Sequence, residues 1–276
     1  MSGKLYLVGT PIGNLGDFSP RAVATLEEAD FIAAEDTRVS LKLLNHFEIK
    51  KPMVSYYEHN RKESGEKIVS RLLLGESCAL VTDAGMPAIS DPGEDLVRLC
   101  AESGIEVVVV PGPSAVISAL AVSALCTQRF CFEGFLSTTK RTRFEHLESL
   151  RNEQRTMVFY EAPHKLLRTL EDMAEYFGGD RKISLCREIT KLHEEALRTT
   201  LSGAIEHYNA TPPKGEFVLV VEGAPEPEEI EMTIDQALEL VQRYRDNGDS
   251  LKMACKKAAN DSGFSKNELY DKAIGK

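Results

Sequence analysis

The chain opens with the apolar run KLYLVG. After it, short all-apolar segments alternate with longer ones whose apolar residues recur every three or four positions. DFIAAED, SCALVT and EVVVVPG show no polar alternation, which predicts strands buried on both faces in a mostly parallel sheet. Between them, PRAVATLEEA is set up as a helix by a Ser19 cap and Pro20 in its first turn, and VSLKLLNHF, EKIVSRLLLG and DLVRLCAESG continue the alternation. For the last of these, Asp91 is expected as the cap, Pro92 as the first helical residue and Gly104 as the stop. The helical stretch PSAVISALAVSAL then leads into a second series: FCFEGF, the charged helix TRFEHLESLRN, TMVFYEA, HKLLRTLEDMAEYFGG, KISLCREI, another helix and EFVLVVEG.

These patterns predict an α/β protein with an N-terminal domain over 1–113 and a second α/β domain over 114–224. After Gly223 the acidic, proline-bearing APEPEEIE reads as a linker, placed at 225–231. Residues 232–276 form a helical module of three short helices resembling a helix-turn-helix, with Ser265 and Glu268 as a capping box for the last.

At 276 residues and 42% hydrophobic, the chain has material for two cores, or for one core with an appendage. Its first apolar run, Leu5 to Val8, is too short for a signal peptide, and nowhere do about 18 apolar residues run together, so a soluble, cytoplasmic protein is expected. The six cysteines are scattered without CxxC spacing, which favours buried reduced thiols over zinc or disulfides. A net charge of −10 argues against a broad nucleic-acid-binding face. Residues 232–276, however, carry eight basic and seven acidic residues, a net of +1, leaving −11 on residues 1–231. RNA contacts would then be local, at Lys140, Arg141 and Arg143, at Arg61 and Lys62, and at Lys252, Lys256 and Lys257.

The loops give the strongest chemical signal. LVTDAGMPAISDPG places small residues and turns between a strand and a helix, and PGPSAV follows the next strand in the same way. Two neighbouring strands thus each send a small-residue loop to the carboxyl edge, where open α/β sheets bind ligands. A dinucleotide-binding reading fails on spacing. Gly9, Gly13 and Gly16 form G-x-x-x-G-x-x-G, Pro11 removes a backbone donor, and the helix begins only at Ser19.

DAGMPAISDPG with PGPSA resembles the tetrapyrrole methylase superfamily. LVGTPIGNLGD (7–17), AAEDTR (33–38), YEAPHK (160–165) and REITKLHEE (187–195) narrow the resemblance to its members that methylate the 2′-oxygen of a cytidine in the decoding region of 16S rRNA. One departure is Ala88, where the pattern has glycine. The resemblance implies a cleft holding S-adenosyl-L-methionine between a mostly parallel sheet and a mixed sheet, a 16S rRNA substrate within the small ribosomal subunit, and a homodimer. Carried onto this chain, it assigns cofactor contacts to Pro11, Ile12, Asp83, Gly85, Met86, Ile89, Ser114 and Ala115 from the first domain, and to Tyr160, Ala162, Leu192 and Gly215 from the second.

A sulfonium is an activated methyl donor, so the protein has to align the acceptor and help remove a hydroxyl proton. Within the motifs, Glu161, Lys191, His193 and Glu194 are the catalytic candidates, with Lys191 and the carboxylate favoured as organisers of the site. A lysine acting as a base would need its pKa pulled down. Neither metal-ligand spacing nor a nucleophile elbow is present. Two alternatives stay open: a small-molecule methylase of the tetrapyrrole type, and a noncatalytic, cofactor-binding ribosome-assembly factor.

Overall fold

Five parallel strands, β1 (Lys4–Val8), β2 (Phe31–Ala34), β3 (Met53–Ser55), β4 (Cys78–Val81) and β5 (Glu106–Val110), form the first sheet of the computed structural model, in the order β3-β2-β4-β1-β5. The structure describes residues 2–226 and 232–275. Every residue of β2 (FIAA) and β4 (CALV) is buried, as their unbroken apolar runs predict. On one face α1 (Pro20–Glu28) and α2 (Thr37–His46) set Ala22, Leu26 and Leu44 against Val8, Ala34 and Val81. On the other, α3 (Arg61–Leu73) and α4 (Gly93–Glu102) set Ile68, Leu72, Leu96 and Cys100 against Leu5, Ala33 and Leu80.

The chain leaves β1 through α1 toward β2, and leaves β4 through α4 toward β5, on opposite faces. Adjacent strands β1 and β4 are therefore the point at which connections diverge, and a crevice opens beyond their carboxyl ends.

The second sheet runs β6-β7-β10-β8-β9, with strands β6 (Phe130–Phe135), β7 (Thr156–Glu161), β8 (Lys182–Arg187), β9 (Glu195–Thr200) and β10 (Phe217–Val221). Only β6 and β7 pair in parallel, so the sheet is mixed. Helices α6 (Lys140–Ser149), α7 (Pro163–Phe177) and α8 (Leu201–Ala210) cover one face through Leu147, Leu166, Leu170, Met173 and Ala204. The opposite face is covered by α5 (Ala115–Val122), whose Val116, Ala119 and Leu120 pack on Val158, Cys186, Val218 and Val220.

Both sheets belong to one unit, Met1–Ala224, and Pro225–Lys276 form another. The latter holds α9 (Ile234–Asp246), α10 (Leu251–Ser262) and α11 (Lys266–Ala273) around a small core of Ala237, Val241, Ala254, Cys255, Ala258 and Leu269. Of the expected linker, residues 227–231 lie outside the described residues.

Several expectations are corrected. Strands β3 and β9 were invisible to apolar pattern because both are sheet edges, one three residues long and the other the polar EALRTT. α4 begins at Gly93, one residue later than predicted, with Pro92 at the cap, while the Asp91 carboxylate accepts from the amides of Gly93 (2.7 Å) and Ala88 (2.9 Å). A reciprocal capping box is present at Thr233 and Gln236; at Ser265 the hydroxyl accepts from the Glu268 amide at 3.1 Å. Four cysteines are buried, but Cys131 is half-buried and Cys126 is exposed.

Candidate functional site: a cleft at the carboxyl edge of the first sheet

Three loops meet beyond the strand ends: 9–14 after β1, 82–92 after β4 and 111–114 after β5. Thr10 and Gly85 exchange backbone hydrogen bonds of 2.9 and 3.2 Å, joining the first two loops at the point of divergence. The third loop closes on the first through glycine. A Cβ placed on Gly112 would lie 2.8 Å from the Cα and carbonyl oxygen of Gly9, and the Gly112 amide donates to Met86 Sδ at 3.3 Å. Backbone of the first and third loops, with the Met86 thioether lodged against both glycines, thus makes this seam. It brings Pro11, Ile12, Asp83, Gly85, Met86, Ile89, Ser114 and Ala115 to one edge, where exposed amides and carbonyls can meet an adenosyl group. Ser114 Oγ itself is occupied in capping α5, accepting from the Ile117 amide at 3.5 Å.

Ala88 has φ +67° and Ser90 φ +62°, left-handed conformations in which a side chain costs about 1–2 kcal/mol. That explains why glycine suits position 88, and the Asp91 carboxylate holds the turn despite the methyl group. The AEDTR segment is tied to the same loop. The Asp36 amide donates to Asp83 Oδ1 at 3.2 Å and Thr82 Oγ1 to Glu35 Oε2 at 2.8 Å. Hydrogen bonds from the Arg38 side chain and amide bring the Asp36 carboxyl down to about 2, whereas burial, with Glu35 and Asp36 nearby, raises that of Asp83.

From the second sheet, the turn after β8 reaches the first loop. Lys191 donates to Glu188 Oε1 (2.9 Å) and Glu216 Oε2 (2.8 Å), and its stem lies on Gly13, where a Cβ would overlap it. Burial lowers the Lys191 pKa, but hydrogen bonds and charge from Glu216 and Glu188 outweigh it, so the ammonium is held above its ordinary value. It is a cation at neutral pH, the opposite of what a lysine base requires. Glu188 (φ +51°) and Thr190 (φ +68°) are left-handed, and Gly215 (φ +82°) leaves room for the Glu188 side chain. Strain of this kind concentrates at functional sites.

The remaining candidates are placed as follows. Glu194 Oε2 accepts from the Thr190 amide at 2.6 Å and so braces the turn. His193 is exposed, and Leu192 at the tip is 93% exposed. Glu161 is buried, its two oxygens accepting from Thr169 Oγ1 (2.6 Å) and the Ala162 amide (2.8 Å), which makes it a brace for the start of α7. The Ala162 amide is therefore taken by Glu161, and its carbonyl accepts from the Lys165 amide at 3.0 Å in the first turn of α7. Tyr160, its pKa raised by burial, packs with Val116 and lies beside Phe132 and Phe135. Glu188 was not among the sequence candidates; its place in the REITKLHEE motif was the available signal.

The basic candidates for RNA contact are reduced. Arg143 is 4% exposed, donating from Nε to Asp172 at 2.6 Å and from Nη1 to the Ser137 carbonyl at 3.0 Å, so it is a structural cation. Arg61 pairs with Asp95 (2.9 Å), and Lys257 with Asp249 (2.7 Å). Lys140, Arg141, Lys252 and Lys256 are exposed, as is Lys62 beside a groove with His59 and Asn60. Among the described residues, no cluster of His, Cys, Asp and Glu could hold a metal, and no helix is long and apolar enough to cross a membrane.

The family model for tetrapyrrole (corrin/porphyrin) methylases matches residues 4–205. A Synechocystis protein named ribosomal RNA small subunit methyltransferase I is 45% identical over 99% of this chain and 98% of its own length. A Thermotoga maritima protein of the same name is 50% identical, covering 80% of this chain and 99% of its own. Among solved structures, uroporphyrin-III-C-methyltransferase from Thermus thermophilus shares the fold at a TM-score of 0.56 and 18% identity, over 79% of this chain and 94% of that one. With the family model matching residues 4–205, well over half of the chain, and a near-full-length relative 45% identical, the chain belongs to the tetrapyrrole methylase family.

Proposed function

We propose that this chain is an S-adenosylmethionine-dependent methyltransferase that methylates the 2′-oxygen of a cytidine in 16S rRNA. The observation that carries this reading is the near-full-length identity to the Synechocystis small-subunit rRNA methyltransferase, which favours it over the tetrapyrrole-type and noncatalytic alternatives. The cofactor supplies an activated methyl group. The Gly9–Gly112 seam and the Thr10–Gly85 bridge fit it, because they hold three loops together by close backbone contact, and beside Gly85 (φ +87°) an added Cβ would meet only Ile12 Cγ2 at 3.5 Å and the Pro113 carbonyl oxygen at 3.6 Å. Pro11, Ile12, Asp83 to Ile89, Ser114 and Ala115 would hold the nucleoside part, with Tyr160, Ala162, Leu192 and Gly215 from the second sheet.

In this reading Lys191 is an organiser: as a cation fixed by Glu188 and Glu216 it holds the 188–194 turn against Gly13. Glu194 stiffens that turn, and His193, exposed beside its tip, would take a hydroxyl proton from an incoming ribose. The two sheets act as domains 1–113 and 114–224. The chain works in the cytoplasm on the small subunit as a homodimer; exposed Val109, Ile117 and Val122 on β5 and α5 support an apolar interface. The chemistry belongs to the two sheets, which form one unit, and the helical module, a separate unit, adds grip on the RNA.

Incubating the protein with methyl-labelled cofactor and unmodified small subunits, and in parallel with a tetrapyrrole, tests the reading. Label in 16S rRNA alone supports it. Label in the tetrapyrrole alone would overturn it in favour of the alternative.

A further inference from the structure

We propose that Phe135, backed by Tyr160 and Phe132, is the surface on which a base of the RNA substrate stacks; this rests on the function proposed above. Phe132 and Phe135 are three residues apart on β6 and in a regular strand would point to opposite faces. A bulge prevents that. Phe132 pairs with Val158 and Phe135 with Tyr160, with Glu133 the extra residue between them, so both rings lie on the sheet face that carries Tyr160. Their centroids are 5.0 and 5.4 Å from that of Tyr160. The bulge is anchored from the other side, where Glu133 Oε2 lies 2.9 Å from His146 Nε2 on α6.

Within this face the α5 helix covers Val158, Val218 and Val220 and reaches Phe132 and Tyr160, but Phe135 remains 62% exposed. The location is specific. At Gly134 (φ +66°) an added Cβ would lie 3.7 Å from Ser90 Oγ, so the bulge sits beside the left-handed turn of the loop that lines the proposed cofactor site. The exposed ring therefore stands at the mouth of the cleft, where the acceptor ribose has to enter. Lys140, which has no carboxylate partner among the described residues, opens α6 five residues on and offers a cation to a phosphate backbone, while the neighbouring Arg141 pairs with Glu145 at 2.8 Å on the exposed surface. An aromatic face beside cations is how single-stranded nucleic acid is gripped without bending the protein to a sequence.

The protein contains no tryptophan, so Phe135→Trp introduces a single indole, excited selectively over the eight tyrosines, at the site. With the demethylated cofactor product bound, titration with an unmodified 16S rRNA transcript should quench that fluorescence as a base stacks. Absence of quenching while filter retention shows the transcript bound would overturn the proposal. In kinetics on unmodified small subunits, Phe135→Ala should lower kcat/KM by roughly ten- to a hundredfold with cofactor affinity unchanged, and Phe135→Tyr should restore most of it. A loss of cofactor affinity, or dissociation of a dimer, in Phe135→Ala would instead assign the ring to the cofactor or to an interface and overturn the stacking role. Failure of the underlying function is separately visible, because the unaltered protein would then transfer no methyl group to 16S rRNA.

Discussion

Gly112→Ala tests whether the meeting of the three loops is what builds the cofactor site. The added methyl would sit 2.8 Å from Gly9 Cα and Gly9 O, and 2.9 Å from Gly9 C. Carbon atoms settle at about 3.5–4.0 Å, so the loops must part by roughly 0.7 Å or more, and both sides of the contact are backbone with no side chain to yield. Overpacking of this kind costs about 1–3 kcal/mol, which for a unit of this size lowers Tm by roughly 2–12 °C. Displacing the first loop also moves the amides and carbonyls offered to the cofactor. Losing one or two such hydrogen bonds, at about 1 kcal/mol each, weakens its binding roughly 5- to 30-fold. Gly104→Ala is the control, since Gly104 (φ +67°) ends α4 with nothing within 4 Å of an added methyl. It carries the backbone cost of about 1–2 kcal/mol and leaves cofactor affinity as it was. Calorimetric titration of both variants decides the matter. Equal cofactor affinities in Gly112→Ala and Gly104→Ala would refute the cradle.

Lys191→Ala should lower the single-turnover methyl-transfer rate far more than cofactor affinity, read by quench-flow and calorimetry. The Lys191 pKa is raised and that of Glu188 is lowered, by the Lys191 hydrogen bond first. The pair's contribution is therefore present above the ordinary carboxylate range and below the ordinary lysine value, and the Tm difference of Lys191→Ala should stay flat from about pH 6 to 9. Arg143→Ala should destabilise by about 2–3 kcal/mol, by removing a buried guanidinium and leaving the half-buried Asp172 unpaired, whereas Lys140→Ala should stay within about 0.5 kcal/mol; denaturant titration separates them. Removing 225–276 should spare cofactor affinity and weaken rRNA binding, with the deficit largest at low salt, where phosphate contacts count most; filter retention across a salt series measures it.

Legibility tracked burial. FIAA and CALV announce strands because both faces are covered, and the Ser19–Pro20 start of α1 is set by local chemistry, with Ser19 accepting from the Ala22 amide. EALRTT is a strand only because β8 offers it an edge, a partner 8 or more residues away that no local pattern encodes. Charge misled in the same way. Arg143 stands in KRTR like a surface cation, yet helical spacing turns it inward toward Asp172 on α7, 29 residues on. At the site, the small-residue loops were readable as motifs, but the Gly9–Gly112 approach and the Lys191 stem over Gly13 join segments far apart in the chain. The bulge at Glu133 hides the Phe135 face from any period-of-two reading.

Ribose-methylation mapping of 16S rRNA from cells with and without this protein tests the central claim most directly. One cytidine 2′-O-methyl group should be present with the protein, vanish in its absence, and return when purified protein and S-adenosylmethionine are added to the unmodified subunits. An identical methylation map in both strains, with no label transferred to 16S rRNA by the purified protein, would contradict it.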